Sequence, residues 1–250
     1  MSYADRVPAA QVSLPAGALA VGLLAWWGVV ALLDAPPYLL PSPVAVGDRL
    51  LARPGLYLRN AGVTLETVLA GGAVGVLGGF LAAGVVVHST LLRRALAPYL
   101  VTLRVLPKIA VAPLLLVYLG TGAGTAVTFV ALVSFFPTFV SSTAGLRETP
   151  DEYLDLLRSV DAGPVETFLR VRVPAALPAV FGGLKQSAAL AVVGAVVAEW
   201  ILTDAGLGYL VLVGAENVQT DAVLAAVVVL FAEGMAVYGA VAAAESRLSW

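Results

Sequence analysis

The chain contains no cysteine, a single histidine (His88) and few charged residues, which make up 12% of its 250 positions. The missing cysteines exclude disulfides, thiolate metal sites and cysteine nucleophiles, and one histidine excludes a multi-histidine metal centre. Only Lys108 and Lys185 are lysines, and neither follows a glycine. The chain therefore has no G-x-x-x-x-G-K-[ST] loop for the phosphates of ATP. A net charge of −2 gives no basic field for nucleic acid.

Apolar residues are correspondingly abundant. They make up 60% of the chain, and the mean hydropathy is +0.95. A soluble domain averages about 25% charged residues and keeps much of its surface in water. The composition therefore excludes a soluble enzyme and a disordered chain, and it predicts an all-α polytopic membrane protein.

Six apolar stretches are long enough to cross a bilayer, which requires roughly 20 mostly apolar residues per helix. They cover residues 16–33, 63–87, 95–119, 123–144, 181–202 and 222–244. No cleavage site follows the first stretch, so we expect it to be an uncleaved anchor. In the second, Gly71, Gly75, Gly79 and Ala83 recur every four residues and predict close packing against another helix. We predict a single transmembrane domain over residues 16–250, after a cytoplasmic N-terminus formed by residues 1–15.

Six spans place both termini on the same side of the membrane, and the arginines indicate which side. Cytoplasmic segments carry an excess of basic residues. If the termini are cytoplasmic, the outer segments hold Arg49, Arg53 and Arg59. The inner segments then hold the larger set, which is Arg6, Arg93, Arg94, Arg147, Arg158, Arg170, Arg172 and Arg247. We therefore predict a multi-pass protein of the cell membrane with both termini in the cytoplasm.

The inner loop over residues 145–179 is unusually long and highly charged. Thr149 and Pro150, followed by two acids, predict a helix start, and the helix is expected over residues 151–162. Gly163 and Pro164 are expected to end it, before a short helix over residues 165–173. The apolar face of the helix over residues 151–162 comprises Tyr153, Leu156, Leu157 and Val160. Periodicity alone allows this face to pack under the protein's own bundle, to lie in the membrane interface, or to dock into a partner's groove.

This loop resembles the EAA loop of ABC importer permeases. That pattern runs Glu-Ala-Ala, three residues, Gly, then nine residues to Ile-x-Leu-Pro. Aligned on the proline, the corresponding residues here are Asp155, Leu156 and Leu157, then Asp161, then Val171, Val173 and Pro174. The acid is thus kept as aspartate, whereas the two alanines and the glycine are replaced.

Other segments resemble the nitrate, sulfonate and taurine permeases of the same family. The similar segments are Leu-Pro-Ser-Pro at residues 40–43, Leu-Arg-x-x-Pro followed by Ala-x-x-Pro-Leu within residues 103–114, Ala198-Glu199, and Gly-Leu-Gly-Tyr at residues 206–209. They follow the family's order over most of the chain.

The resemblance implies a type I ABC importer permease with the MetI-like fold, which forms the substrate path and works by alternating access. The implied partners are a second permease subunit, expected to be an identical copy, two ATPase subunits that bind ATP and Mg²⁺, and an extracytoplasmic substrate-binding protein. This chain would bind no cofactor and catalyse no reaction. Its substrate would be a small anion or organic solute of the nitrate, sulfonate or taurine type. The residues expected to couple to the ATPase are Tyr153, Asp155, Leu156, Leu157, Arg158, Val160, Asp161, Ala162, Gly163, Pro164 and Pro174.

The candidates for the translocation path or its gate are Arg104, Pro107, Lys108 and Glu199. A proline that breaks the third span would let two cations line a water-filled path, because charges inside a membrane usually face a cavity or a partner. The alternative is that the cations extend to a membrane face. Glu199 is either a helix-packing carboxylate or a gating residue that pairs with one of these cations. The Gly-Leu-Gly segment after it is expected to form a turn outside the membrane.

Two other functional classes remain as alternatives. A secondary transporter or channel, with no ATPase partner, would need its own coupling-ion or pore residues, and the spans hold few ionisable groups. A membrane-embedded enzyme is disfavoured because the sequence has no histidine cluster and no paired intramembrane aspartates.

Overall fold

The computed structural model of the protein describes residues 9–89, 91–92, 94–96, 99, 107–159 and 161–248. This part of the chain is helical and contains no β-strand. The helices are α1 (Ala9–Leu33), α2 (Pro43–Ala52), α3 (Pro54–His88), α4 (Ala112–Leu119), α5 (Ala123–Arg147), α6 (Asp151–Ser159), α7 (Pro164–Ile201), α8 (Leu207–Glu216) and α9 (Thr220–Leu248). A 3₁₀ turn, Lys108–Val111, precedes α4.

Four of these helices, α3, α5, α7 and α9, are long and apolar enough to cross a membrane. Gly17–Leu33 of α1 is a shorter apolar helix, and so is Lys108–Leu119, which lies in the third predicted span. This arrangement confirms the all-α polytopic prediction. α3 runs parallel to α5, whereas α5, α7 and α9 alternate in direction, so α6 lies at one end of the bundle and α8 at the other. These ends are called the α6 end and the α8 end below.

The small-residue ridge of α3 packs against α5, as predicted from its four-residue spacing. A Cβ atom on Gly71 would lie 2.6 Å from the Cβ of Val130, and one on Gly79 would lie 2.6 Å from the carbonyl oxygen of Phe135. A Cβ atom on Gly75 would overlap the carbonyl oxygen of Ala131. The backbones of the two helices therefore approach each other along a line where no side chain fits.

The contact between α5 and α7 also has a glycine at a close approach of the two helices. A Cβ atom on Gly183 would lie 2.7 Å from the Cβ of Ser141. Beside it, the Ser187 hydroxyl donates to the carbonyl oxygen of Ser134 at 2.6 Å and lies 2.8 Å from the Thr138 hydroxyl. These polar groups are buried and hydrogen-bonded to each other, so they join α5 to α7 without exposing polar groups to lipid.

The helix α7 is longer than the sequence predicted. The predicted short helix over residues 165–173 and the predicted span over 181–202 form one helical segment, Pro164–Ile201. A π-helical turn, Phe168–Arg172, lies within it, and the N–H of Val173 bonds to the carbonyl of Phe168. Since Pro174 has no N–H, the regular bonding pattern is interrupted there, and the wider turn continues the helix past it.

At the α8 end, the α1–α2 connection and α2 are attached to the turn between α8 and α9. Arg49 of α2 donates from Nη2 to Oε1 of Gln219 at 2.6 Å, and the Thr220 hydroxyl donates to the carbonyl of Tyr38. Within the bundle, Lys185 of α7 is ion-paired with Glu245 of α9. Polar contacts thus join helices that are distant in sequence.

Candidate functional site

Helix α6 presents one side to the bundle and another to solvent. Leu154 lines a small cavity together with Val87 and His88 of α3, and Leu157 is half-buried. Tyr153, in contrast, is 55% exposed although it is the largest apolar side chain of this helix. Of the face predicted from the sequence, Tyr153 is exposed and Leu157 is half-buried, whereas Leu154, which lines the cavity, was not among the predicted residues.

The other predicted coupling residues surround this helix. Asp155 is exposed, Ala162 and Pro164 line the same cavity as Leu154, and Pro174 is exposed on α7. Val160 and the side chains of Leu156 and Arg158 lie outside the described residues.

The end of α6 corrects the predicted boundary. The helix ends at Ser159 rather than at residue 162, and Gly163 with Pro164 begins α7 instead of ending α6. Asp161 has a φ of +52°, and the N–H of Ala162 donates to the carbonyl oxygen of Leu157 at 3.0 Å. This six-to-one bond after a left-handed residue is the Schellman cap. Asp161 occupies the position of the glycine in the EAA pattern, so the structure gives a physical reason for glycine there.

Replacing Asp161 by glycine is expected to stabilise the chain, and replacing it by valine to destabilise it. A left-handed backbone costs a non-glycine residue roughly 1–2 kcal/mol, and a β-branched side chain is the least compatible with it. Thermal unfolding of the purified protein in detergent measures both effects. Equal melting temperatures for the aspartate, glycine and valine forms would show that this turn is not held in the left-handed conformation.

Lys108 lies beside the middle of α5. Its Nζ atom is 5.4 Å from the centre of the Phe136 ring, within the range of a cation–π contact. Phe136 is 13 residues from the start of α5 and 11 from its end. At 1.5 Å per residue it is about 20 Å and about 17 Å from the two ends.

Lys108 also borders a cavity of about 300 Å³ between the 3₁₀ turn, α5 and α7. The lining residues include Phe136, Ser141, Gln186 and Leu190. Pro107 is exposed and precedes the 3₁₀ turn that carries Lys108. Arg104 lies outside the described residues. Among the described path candidates, Lys108 lies at a cavity.

Glu199 lies elsewhere, at the N-terminus of α8. It is 1% exposed, and its Oε2 atom accepts a hydrogen bond from the N–H of Gly208 at 2.6 Å. A Cβ atom on Gly206 would overlap the carboxyl group, and one on Gly208 would lie 2.8 Å from Oε2. Gly206 also has a φ of +108°, a conformation open to glycine. The two glycines therefore allow a carboxylate to cap the positive end of a helix.

The predicted turn outside the membrane is wrong in this respect, because Gly206 is the N-cap of α8 and Leu207 and Gly208 are its first, buried residues. Two polar residues of α3, not identified from the sequence, complete the cap. Asn60 Oδ1 accepts from the N–H of Gly206 at 2.9 Å, and the Thr64 hydroxyl accepts from the N–H of Leu207 at 2.8 Å.

The sequence holds a signal for the missed residues. Asn60 and Thr64 are four residues apart and so share one face of a helix, which indicates a common polar partner. Gln186 is an amide within an apolar run, only one residue from Lys185. A polar residue inside a predicted span is a candidate for a buried contact or a cavity.

Comparison with known proteins connects these features to a family. Residues 75–250 match the family described as binding-protein-dependent transport system inner membrane component. A probable ABC transporter permease of Haemophilus influenzae is 37% identical over 191 residues, which cover 76% of this chain and 78% of that protein. A formylaminopyrimidine transport permease of Halalkalibacterium halodurans is 32% identical, covering 75% of each chain. The taurine transport permease of Escherichia coli is 28% identical, covering 80% of this chain and 76% of that one.

A solved structure shows the same fold. The MetNI methionine ABC transporter in an inward-facing conformation matches with a TM-score of 0.63 and 18% identity, covering 77% of this chain and 97% of that chain. This match confirms the predicted MetI-like fold. From the family match and the relatives, this chain belongs to the inner-membrane components of binding-protein-dependent transport systems, and it is an ABC importer permease of the type that includes the nitrate, taurine, sulfonate and bicarbonate permeases.

Proposed function

We propose that α6 is the helix through which this permease is driven by a separate ATPase subunit. The observation that carries the proposal is the exposed Tyr153 on a short helix whose Leu154 lines a cavity with α3 of the bundle. Exposed aromatic residues are enriched among those that dominate binding energy in interfaces. The ATPase would hold Tyr153 in a groove, and a movement of α6 would pass into the bundle through the contacts on its other side.

In this proposal the α6 end faces the cytoplasm, together with both termini, as the arginine distribution predicts. Two permease subunits, expected to be identical, assemble with two ATPase subunits, which bind ATP and Mg²⁺, and with an extracytoplasmic binding protein at the α8 end. Closure of the ATPase pair would switch the path between inward-open and outward-open states. The chain itself would remain non-catalytic.

The proposed substrate is a small anion or organic solute. Relatives of this chain are named for formylaminopyrimidine, riboflavin, nitrate and taurine, which are all small solutes. The cavity beside Lys108 supports an anionic group on the substrate, because a lysine at mid-depth in a membrane requires a partner or water.

The coupling role is tested by replacing Tyr153 with alanine. The tagged permease is expressed with an ABC ATPase, purified in mild detergent, and the amount of bound ATPase is measured for each chain. Loss of a residue that dominates an interface costs 2 kcal/mol or more, so affinity for the ATPase is expected to fall by about 30-fold. Membrane insertion is expected to be unchanged because Tyr153 does not pack in the bundle.

Tyr118 supplies the matched control. It is 80% exposed at the end of α4, close to the start of α5 and therefore at the opposite end of the bundle from Tyr153. Its replacement by alanine is expected to leave ATPase recovery unchanged. If the unsubstituted permease recruits no ATPase at all, the importer proposal fails in favour of a secondary transporter or channel. If both alanine variants bind ATPase equally well, the coupling surface is not on Tyr153.

A further inference from the structure

The two lysines of this chain lie in very different surroundings within the bundle. Lys185 is neutralised by Glu245, so the protein supplies its counter-charge. Lys108 has the Phe136 ring beside it and no carboxylate partner among the residues that the structure describes. An uncompensated lysine at the centre of a bilayer costs roughly 2.5–3.5 kcal/mol, so its retention requires something that offsets that cost.

The cavity beside Lys108 has two kinds of lining. Besides the ammonium group of Lys108, it holds the amide of Gln186 and the hydroxyl of Ser141, which are hydrogen-bond donors. Phe136 and Leu190 supply an apolar wall. At about 300 Å³, the cavity is at the low end of the range found for small-molecule sites, which is about 300–1,000 Å³.

We propose that this cavity is a substrate subsite that takes a small organic anion. The carboxylate or sulfonate of the solute pairs with Nζ of Lys108 and accepts from Gln186, and its apolar part lies against Phe136 and Leu190. The subsite rests on the proposed function, for which it specifies the substrate class. Its position about midway along α5 is the depth at which transporters commonly hold their substrates.

The two lysines allow a test within a single sample. Purified permease in lipid nanodiscs is treated with trinitrobenzenesulfonate, which arylates amines, and labelling of Lys108 and Lys185 is followed by peptide mass spectrometry. Unreactive benzenesulfonate serves as the probe anion, and benzyltrimethylammonium as a cation of similar size. At about ten times its Kd, benzenesulfonate is expected to slow the labelling of Lys108 about tenfold by competition. Labelling of Lys185 should not change, and the cation should protect neither lysine.

A pair of glutamine variants then tests whether the cavity itself binds the anion. Replacing Gln186 by leucine removes a donor to a charged group and is expected to raise the Kd of benzenesulfonate by about tenfold. Replacing Gln219 by leucine, at the α8 end, is the matched control and should leave that Kd unchanged.

Equal slowing of both lysines, or equal protection by the cation and the anion, would overturn the subsite. A carbodiimide cross-link between Lys108 and a carboxylate of a second copy would also overturn it, because the counter-charge would then be the neighbouring subunit. ATPase recovery is measured on the same preparation. A permease that recruits ATPase but shows no protection of Lys108 loses the subsite and keeps the proposed function, whereas one that recruits no ATPase loses the proposed function itself.

Discussion

A Gly75→Val chain is expected not to form the bundle described here. A Cβ atom at this position would overlap the carbonyl oxygen of Ala131 and lie 3.0 Å from the Cβ of Ser134. The backbone of α5 cannot rotate away as a flexible side chain can, so α3 and α5 must separate along their contact. Overpacking costs typically 1–3 kcal/mol where side chains can adjust, and we expect more than about 3 kcal/mol here. The measurement is the yield of monodisperse protein and its melting temperature in mild detergent.

Gly62 provides the control on the same helix. A Cβ atom there meets no atom within 4 Å, so Gly62→Val is expected to leave yield and melting temperature close to those of the unsubstituted chain. A Gly75→Val protein that is as stable as the Gly62→Val protein would contradict the close approach of α3 and α5.

A Glu199→Ala chain is expected to lose about 2–4 kcal/mol of stability and to release the start of α8. The substitution removes a buried acceptor from the N–H of Gly208 and the cap of a helix N-terminus. It also leaves a cavity beneath two glycines that cannot fill it. Thermal unfolding gives the stability, and hydrogen exchange of the Gly208 amide reports directly on the cap.

Two further variants test whether the hydrogen bond of the cap and the close fit of the carboxyl group against Gly206 account for the stability. Glu199→Gln keeps an acceptor oxygen in the same place and should retain most of the stability. Gly206→Ala places a methyl group against the carboxyl group and strains a φ of +108°, so it should be severely destabilising. In the Glu199→Ala background that clash is absent, and the two effects should be less than additive. Strict additivity, or a Glu199→Gln chain as unstable as the alanine form, would contradict this geometry.

Much of the bundle could be predicted because lipid imposes simple rules on sequence. A span must be long and apolar, which made α3, α5, α7 and α9 recognisable. The ridge that includes Gly75 was visible because small residues at four-residue spacing have one effective use in a membrane helix. These properties are local, so they can be recognised without knowing which helix packs against which.

The prediction of a turn at Gly206 shows where local reasoning fails. The ten residues of α8 are too few to be recognised as a span, and the glycines before it resemble a loop. These glycines leave room for the side chain of Glu199, and their N-terminal helix end is capped by Asn60 and Thr64 of α3, which are distant in sequence. Similarly, Asp161 looked like the loss of a glycine, whereas its side chain tolerates the left-handed backbone that the cap requires. The position of Lys108 along the bundle could not be predicted from the sequence either, because it is defined by the contact with Phe136 of α5.

The unbroken course of α7 has a mechanical consequence. Pro164 follows directly after the α6 turn, and Glu199 lies near the other end of the same helix. A rigid rotation of this helix about its axis would therefore turn both residues together. Inserting one residue in its middle would misalign the carboxylate by about 100°. The π-helical turn near Pro174 has a different number of residues per turn, so it is the place where the helix can accommodate such a rotation.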